Sequence, residues 1–242
     1  MCKTRRIVYR IAQSLLVVAS VAAPSPADQA PTVMLRDDDA LMEAAVAAST
    51  DVINWTTAGV DHVSQQWYWY RVGVEGSDPA ADRLELQSQV LTDTDLDGEG
   101  DTLFLEYRDA GGVFDMSTRY ALSGGKAGFG VSVLNELVTI ANTSDELLMV
   151  HIIGFHDPGL ADTAMDTATE LVGGIQAVRT DGAITLAITA VTRSRNAVEI
   201  DPEMTIFDAL ADVTSGSFAG IVGPPESYDS NWAFQWTVDL AP

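Results

Sequence analysis

Cysteine is all but missing from these 242 residues, the one present being Cys2. A disulfide framework is therefore excluded, and so is thiol catalysis anywhere beyond the extreme N-terminus. Lysine is nearly as scarce, with only Lys3 and Lys126. Beyond the run Ile11 to Ala23, no stretch has the roughly 20 apolar residues that a membrane-spanning helix needs. Histidine occurs three times, at 62, 151 and 156. The Gly-x-Ser-x-Gly elbow of a serine hydrolase is absent. The glycine-rich stretch Gly124 to Gly130 has neither the Gly-Lys-Ser/Thr order of a phosphate loop nor the third glycine of a dinucleotide fingerprint, and it reads as a hairpin loop.

What is abundant is acid. Thirty-five Asp and Glu face thirteen Lys and Arg, for a formal charge of −22. Such a surface repels nucleic acid and anionic lipid, which removes both as partners, and it suits divalent cations or a saline medium. Four of the thirteen basic residues, Lys3, Arg5, Arg6 and Arg10, lie in the first ten positions. An apolar run and then small residues come next, which is the layout of a secretory signal peptide. Cleavage after Ala22 or Ala27 fits the small-residue rule; cleavage after Ala23 or Ala30 would put a proline at the new N-terminus. Thr4 to Arg10 also resembles, loosely, a twin-arginine export signal, but ordinary export is the expectation. Removing residues 1–27 takes away four positive charges and no acid, which moves the formal charge from −22 to −26. Cys2 leaves with them, and it precedes the apolar run, so it is no lipoprotein anchor. The expected location is secreted, periplasmic or at the cell surface, with no membrane span in the mature chain.

The sharpest chemical pattern is Asp93-Thr94-Asp95-Leu96-Asp97-Gly98-Glu99-Gly100-Asp101. Asp93, Asp95, Asp97 and Asp101 fall at positions 1, 3, 5 and 9 of a calcium loop. Gly98 stands at position 6, where a sharp turn needs positive φ. Glu99 at position 7 would offer its backbone carbonyl. Position 12, which takes a bidentate Glu in an EF-hand, is Phe104, and Thr102 to Tyr107 reads as a strand rather than an exiting helix. The loop is thus a DxDxDG turn between strands, either a calcium site or a solvated acidic turn. If it binds, calcium stabilises the fold by linkage.

The remainder predicts strands separated by Gly, Asp, Asn and Pro clusters. They fall at 51–57, 63–74, 83–92, 102–108, 113–122, 130–141, 147–156, 169–179, 183–193, 197–200 and 231–240. The fold class is all-β, an antiparallel β-sandwich or jelly roll of about ten strands with one or two short helices. Residues 28–50 read as a flexible lead-in with a short helix near 40–49, 204–211 as one or two helical turns, and 51–242 as one domain. In Trp232-Ala233-Phe234-Gln235-Trp236 the large rings share one face, and Ala233, Gln235 and Thr237 take the polar face. In Gln65 to Val72, Trp67 and Trp69 share a face with Gln65 and Arg71, while Tyr68, Tyr70 and Val72 take the other. One reading covers both faces with protein. The other makes Trp67 and Trp69 a stacking platform for sugar rings.

The stretch Trp67-Tyr68-Trp69-Tyr70-Arg71-Val72-Gly73 resembles the FWYRVG strand of a set of exported bacterial proteins, many of which carry a PEP-CTERM sorting signal. The order continues through the acidic loop and Thr102 to Tyr107, then Tyr120 to Gly125, Val138 to Ser144 and Trp232 to Trp236, roughly residues 64–242. The resemblance implies an exported β-fold and no particular activity. The chain ends at Pro242 without a Pro-Glu-Pro motif, apolar anchor or basic tail, so surface sorting is not carried over.

Catalytic constellations are thin. His151 and His156 are separated by an odd number and fall on opposite faces of a regular strand, which makes them poor joint zinc ligands. His62 sits in an expected turn. His156-Asp157 is adjacent in sequence, which sets no acid–base geometry. Glycosidase carboxylate pairs depend on spacing in space rather than in sequence. Three readings result, in order: a non-catalytic extracellular sandwich, a matrix or surface component with a structural calcium; a carbohydrate-binding module engaging extracellular polysaccharide through Trp67 and Trp69; and a secreted hydrolase.

Overall fold

The computed structural model describes residues 7–16, 32–46, 51–73, 83–160, 168–172, 176–181, 184–191, 195–202, 206, 210 and 230–242. They form an all-β sandwich of two antiparallel sheets. In chain order the strands are β1 (Ile7–Leu16), β2 (Thr32–Asp37), β3 (Ala40–Ala45), β4 (Asp51–Thr57), β5 (Val60–Asp61), β6 (Gln65–Val72), β7 (Glu85–Thr92) and β8 (Thr102–Arg108). Then come β9 (Phe114–Gly124), β10 (Val131–Asn142), β11 (Leu148–Asp157), β12 (Ala168–Val172), β13 (Gln176–Asp181), β14 (Ile184–Val191), β15 (Arg195–Pro202) and β16 (Ser230–Leu240). The first sheet runs β12-β13-β14-β1-β10-β9-β8-β7. The second runs β15-β16-β11-β6-β4-β3-β2, with β5 beside β4.

The expected strands at 51–57 and 102–108 appear with those bounds. The total is larger than the ten expected, for definite reasons. Region 169–179 holds two strands, β12 and β13, paired antiparallel with Val172 opposite Gln176; Gly173-Gly174 between them is the punctuation. Within the expected lead-in, the described residues 32–46 hold strands rather than a helix, because β2 and β3 pair across a two-residue loop, Asp37 opposite Ala40. Asp38 there takes a left-handed φ of 52°, a conformation that Asp tolerates better than most residues. Ala40 to Val46 alternate buried and half-buried positions, with Ala40, Met42, Ala44 and Val46 in the core. Alanine-rich helix propensity is weak against a period-two face that buries itself between sheets. Residues 11–16 of the stretch read as the apolar core of a leader belong to β1, which is antiparallel to both β10 and β14; residues 17–23 lie outside the described residues.

The core lies between the sheets. Trp232, Phe234 and Trp236 point into it, as the period-two rule predicts, beside Trp55, Tyr68, Tyr70, Phe114 and Tyr120. Each such ring removes roughly 150–250 Å² from water, on the order of 4–6 kcal/mol of transfer free energy at about 25 cal/mol per Å². The opposite face of β16 is not polar and open as expected. Ala233 and Gln235 are buried, and Ala233 joins a second apolar layer with Trp69, Ile153, Phe155, Ile206 and Leu210. The second sheet is therefore covered on both faces along β6, β11 and β16. Ile206 and Leu210 are helical, within the region where one or two turns are expected.

Candidate metal centre

The acidic loop joins β7 to β8, with Thr92 opposite Thr102. Its shape is set by its own side chains. Asp93 accepts from the backbone N–H of Leu96 (2.7 Å) and Gly98 (2.9 Å), one oxygen each. Asp95 accepts from Asp97 N–H at 3.2 Å and Asp97 from Glu99 N–H at 2.8 Å. Leu96 and Gly98 take positive φ, 67° and 100°; the glycine does so without strain and the leucine does not. The chain thus curls so that alternate carboxylates face inward. The next residues form strand β8, and Phe104 is part of it, so the loop has no EF-hand exit helix and no twelfth-position ligand.

Among the described residues, two carboxylate groups converge within 4.8 Å: Asp93 with Asp95 and Asp101, and Asp37 with Asp95 and Asp97. Asp95 belongs to both. Of the sequence-predicted ligands, Asp93 and Asp101 meet Asp95 in one group and Asp97 meets it in the other, while the Glu99 carboxylate is in neither. Asp37 is a member that the loop pattern does not predict. It comes from the β2–β3 hairpin, on the other sheet. The signal was Asp37-Asp38-Asp39 between two alternating apolar stretches, which reads as a hairpin turn once both flanks are taken as strands.

The two sheets meet closely here. Arg36 N–H donates to the Gly100 carbonyl at 2.9 Å, and Gly124 N–H donates to Asp37 Oδ2 at 3.0 Å. A Cβ on Gly124 would collide with the Asp37 carbonyl oxygen, so only glycine admits this approach.

Asp101 is the anchor. It is 4% exposed. Its Oδ2 accepts from Thr94 N–H at 3.0 Å and Thr94 Oγ1–H at 2.7 Å, while its Oδ1 is buried and completes no bond of good geometry. Burial would raise its pKa, but the donors from Thr94, Thr102 and Asp95 outweigh burial and hold the pKa below the ordinary value. Asp95 goes the other way. The Asp97 N–H lowers its pKa, yet partial desolvation and the neighbouring acids Asp97, Asp37 and Asp93 prevail, and the net shift is upward. Like charges this close disfavour one another's ionised forms. A hard cation relieves that repulsion, and carboxylate oxygens are its preferred ligands.

Of the other expected sites, Trp69 is 8% exposed and packs in the second apolar layer. Trp67 is half-buried, edge-on to Trp69 at 5.9 Å and stacked on Phe155 at 5.8 Å. The two rings cover the sheet and do not form an open platform. His151 and His156 point to opposite faces, as their spacing requires. His151 Nδ1 bonds Thr237 Oγ1 at 2.8 Å. His156 lies in the core, edge-on to Phe234, with neither ring nitrogen hydrogen-bonded. Burial pushes its pKa down to about 3, so it pairs with no acid. His62, expected in a turn, is fully buried, and burial lowers its pKa to about 4. Gly124 to Gly130 closes the β9–β10 hairpin, as expected, and Gly128 N–H donates to Asp39 at 3.2 Å.

No family model matches the chain, and no curated protein matches it. Among solved structures, a bacterial glucoamylase complexed with acarbose shares 9% identity at a TM-score of 0.48, over 96% of this chain and 34% of that one. The chain therefore spans about a third of that protein's length.

Proposed function

We propose that this chain is an exported, non-catalytic β-sandwich, a component of an extracellular matrix or cell surface, in which Ca²⁺ seated by the β7–β8 loop acts as a structural staple. Export rests on the basic-then-apolar N-terminus and on the acidity of the remaining chain. The observation that carries the staple is the convergence of Asp93 and Asp95 on the buried, ionised Asp101. Asp37 extends the ligand set to the other sheet, so one ion, or two sharing Asp95, would hold the loop against the β2–β3 hairpin. Calcium suits the site better than magnesium because its larger and more flexible coordination shell tolerates carboxylates of unequal distance, whereas magnesium demands a near-ideal octahedron.

The test is thermal unfolding of the full chain with millimolar Ca²⁺ and with EDTA, repeated with Asp95→Ala plus Asp97→Ala. The expected result is a rise of several degrees in Ca²⁺ that the double variant loses. A hundredfold excess of ion over its Kd is worth about 2.7 kcal/mol, which is several degrees for a domain of this size. Equal melting in both buffers would reduce the loop to a solvated turn.

A further inference from the structure

A second carboxylate links the two sheets, outside the acidic loop and buried in the core. Glu136 stands on β10 directly opposite Tyr120 on β9. It alternates with the core residues Leu134 and Val138, and it is 1% exposed. Across the interface, β6 of the other sheet presents Gln66 and Tyr68, each also 1% exposed. Gln66 Nε2 donates to Glu136 Oε2 at 2.6 Å. Glu136 Oε1 and the Tyr68 hydroxyl are buried as well, and neither completes a hydrogen bond of good geometry.

No cation faces this carboxyl among the described residues. The groups around it are Gln66 and Tyr68 on β6 and Tyr120 on β9. Tyr107 on β8 lies next to Tyr120. His156 on β11 lies beyond Tyr68, the two rings flanking Gly154. None carries charge near neutrality: burial raises the pKa of each tyrosine and lowers that of the histidine. Even with the Gln66 amide and the Tyr120 and Tyr68 hydroxyls within reach of it, an ionised carboxylate is disfavoured in so dry a place, and a proton is the most direct remedy. A proton on Oε1 gives the Tyr68 oxygen a donor, while Oε2 keeps the Gln66 amide.

We propose that Glu136 is a proton-operated latch between the two sheets, closed by its protonated carboxyl bonding Gln66 and Tyr68 and weakened when that proton leaves. Burial pushes the carboxyl up to about 7, against the opposing pull of Tyr120, Tyr68 and Gln66. The latch therefore works in the range an exported protein meets. The sign is set by linkage. A carboxyl whose folded pKa is raised binds its proton more tightly in the folded state. Its contribution is complete below the unfolded value of about 4.5, and it is lost as pH rises through about 7.

The experiment is infrared spectroscopy of the full-length chain between pH 5.5 and 8.5, with Glu136→Gln for assignment and urea unfolding alongside. Expected is a protonated-carboxyl carbonyl band at pH 5.5 that disappears with a midpoint near 7 and is missing from Glu136→Gln. The wild-type folding constant should also fall by roughly tenfold or more over that range relative to Glu136→Gln, since a tenfold difference in proton affinity between the folded and unfolded chain is a tenfold change in that constant. Titration of the unfolded histidines is common to both chains and cancels. No band at pH 5.5, or a band that Glu136→Gln retains, overturns the proposal. Should Glu136→Gln fail to fold, Gln66→Leu removes an amide donor that lowers the carboxyl's pKa. The band midpoint must then move upward, and an unmoved midpoint overturns the latch.

Discussion

Carboxylates tie the two sheets together at two places, in opposite ways. At the end of the sandwich, four loop aspartates and Asp37 crowd together, mostly in solvent, where several negative charges are tolerated but repel. In the core, Glu136 is alone and dry, where even one negative charge is hard to keep. The first site calls for a divalent cation and the second for a proton. Burial and the number of neighbouring charges decide which positive partner a carboxylate takes.

Three further measurements sharpen or break that contrast beyond the two already described. The largest effect is on the acid limb of stability. His62 and His156 are held neutral in the fold, with pKa values lowered to about 4 and about 3. Their contribution is complete above the ordinary value of 6.5 and is lost as pH falls below it, by up to roughly 3 kcal/mol for His62 and roughly 5 kcal/mol for His156. Glu136 gains over part of the same range. Stability should therefore peak close to neutral and drop steeply below about pH 5.5, measured as urea midpoints against pH. Replacing His156 with Phe should flatten the drop. A limb that His156→Phe leaves unchanged would mean that the imidazole is not held neutral.

Next in size is the division of labour within the acidic loop. Asp101→Asn should destabilise by about 1–2 kcal/mol even in EDTA, because Thr94 loses a charged acceptor. Asp97→Asn should cost little in EDTA and show its effect only with Ca²⁺ present. If both substitutions behave alike in EDTA, Asp101 is not the preformed half of the site.

The smallest effect belongs to the exposed Arg108–Asp115 ion pair at 2.8 Å, half-open to solvent. Arg108→Ala should cost under about 1 kcal/mol and less in high salt. A larger, salt-resistant loss would mean that exposed carboxylates in this protein need no ion to matter.

The sequence revealed most where one face of a strand is buried and its ends carry turn residues. β4 and β8 are legible to the residue because Asp51, Ala58-Gly59, Asp101 and Asp109 punctuate short β-branched and aromatic stretches. The three rings of β16 were legible for the same reason. What escaped depended on partners far away in the chain. Ala40 to Ala45 look helical until β2 and β4 flank them, and Asp37 looks like a linker residue until the acidic loop, much later in the chain, meets it. Glu136 is one polar residue in an apolar strand. Its meaning comes from Gln66, seventy positions earlier.

Sheet order also sets how the molecule can be assembled in time. β11 takes β6 on one side and β16 on the other, with Gly154 opposite both Tyr68 and Phe234. This interior strand of the second sheet thus waits for β16, which leaves the ribosome long after it. Until then its edge is open, and Trp232, Phe234 and Trp236 are missing from the core. Pairings of such long sequence separation are slow to form, because the loop-closure entropy comes first. The sandwich is therefore expected to fold late and as a whole, once β16 has been made, rather than strand by strand from its N-terminus.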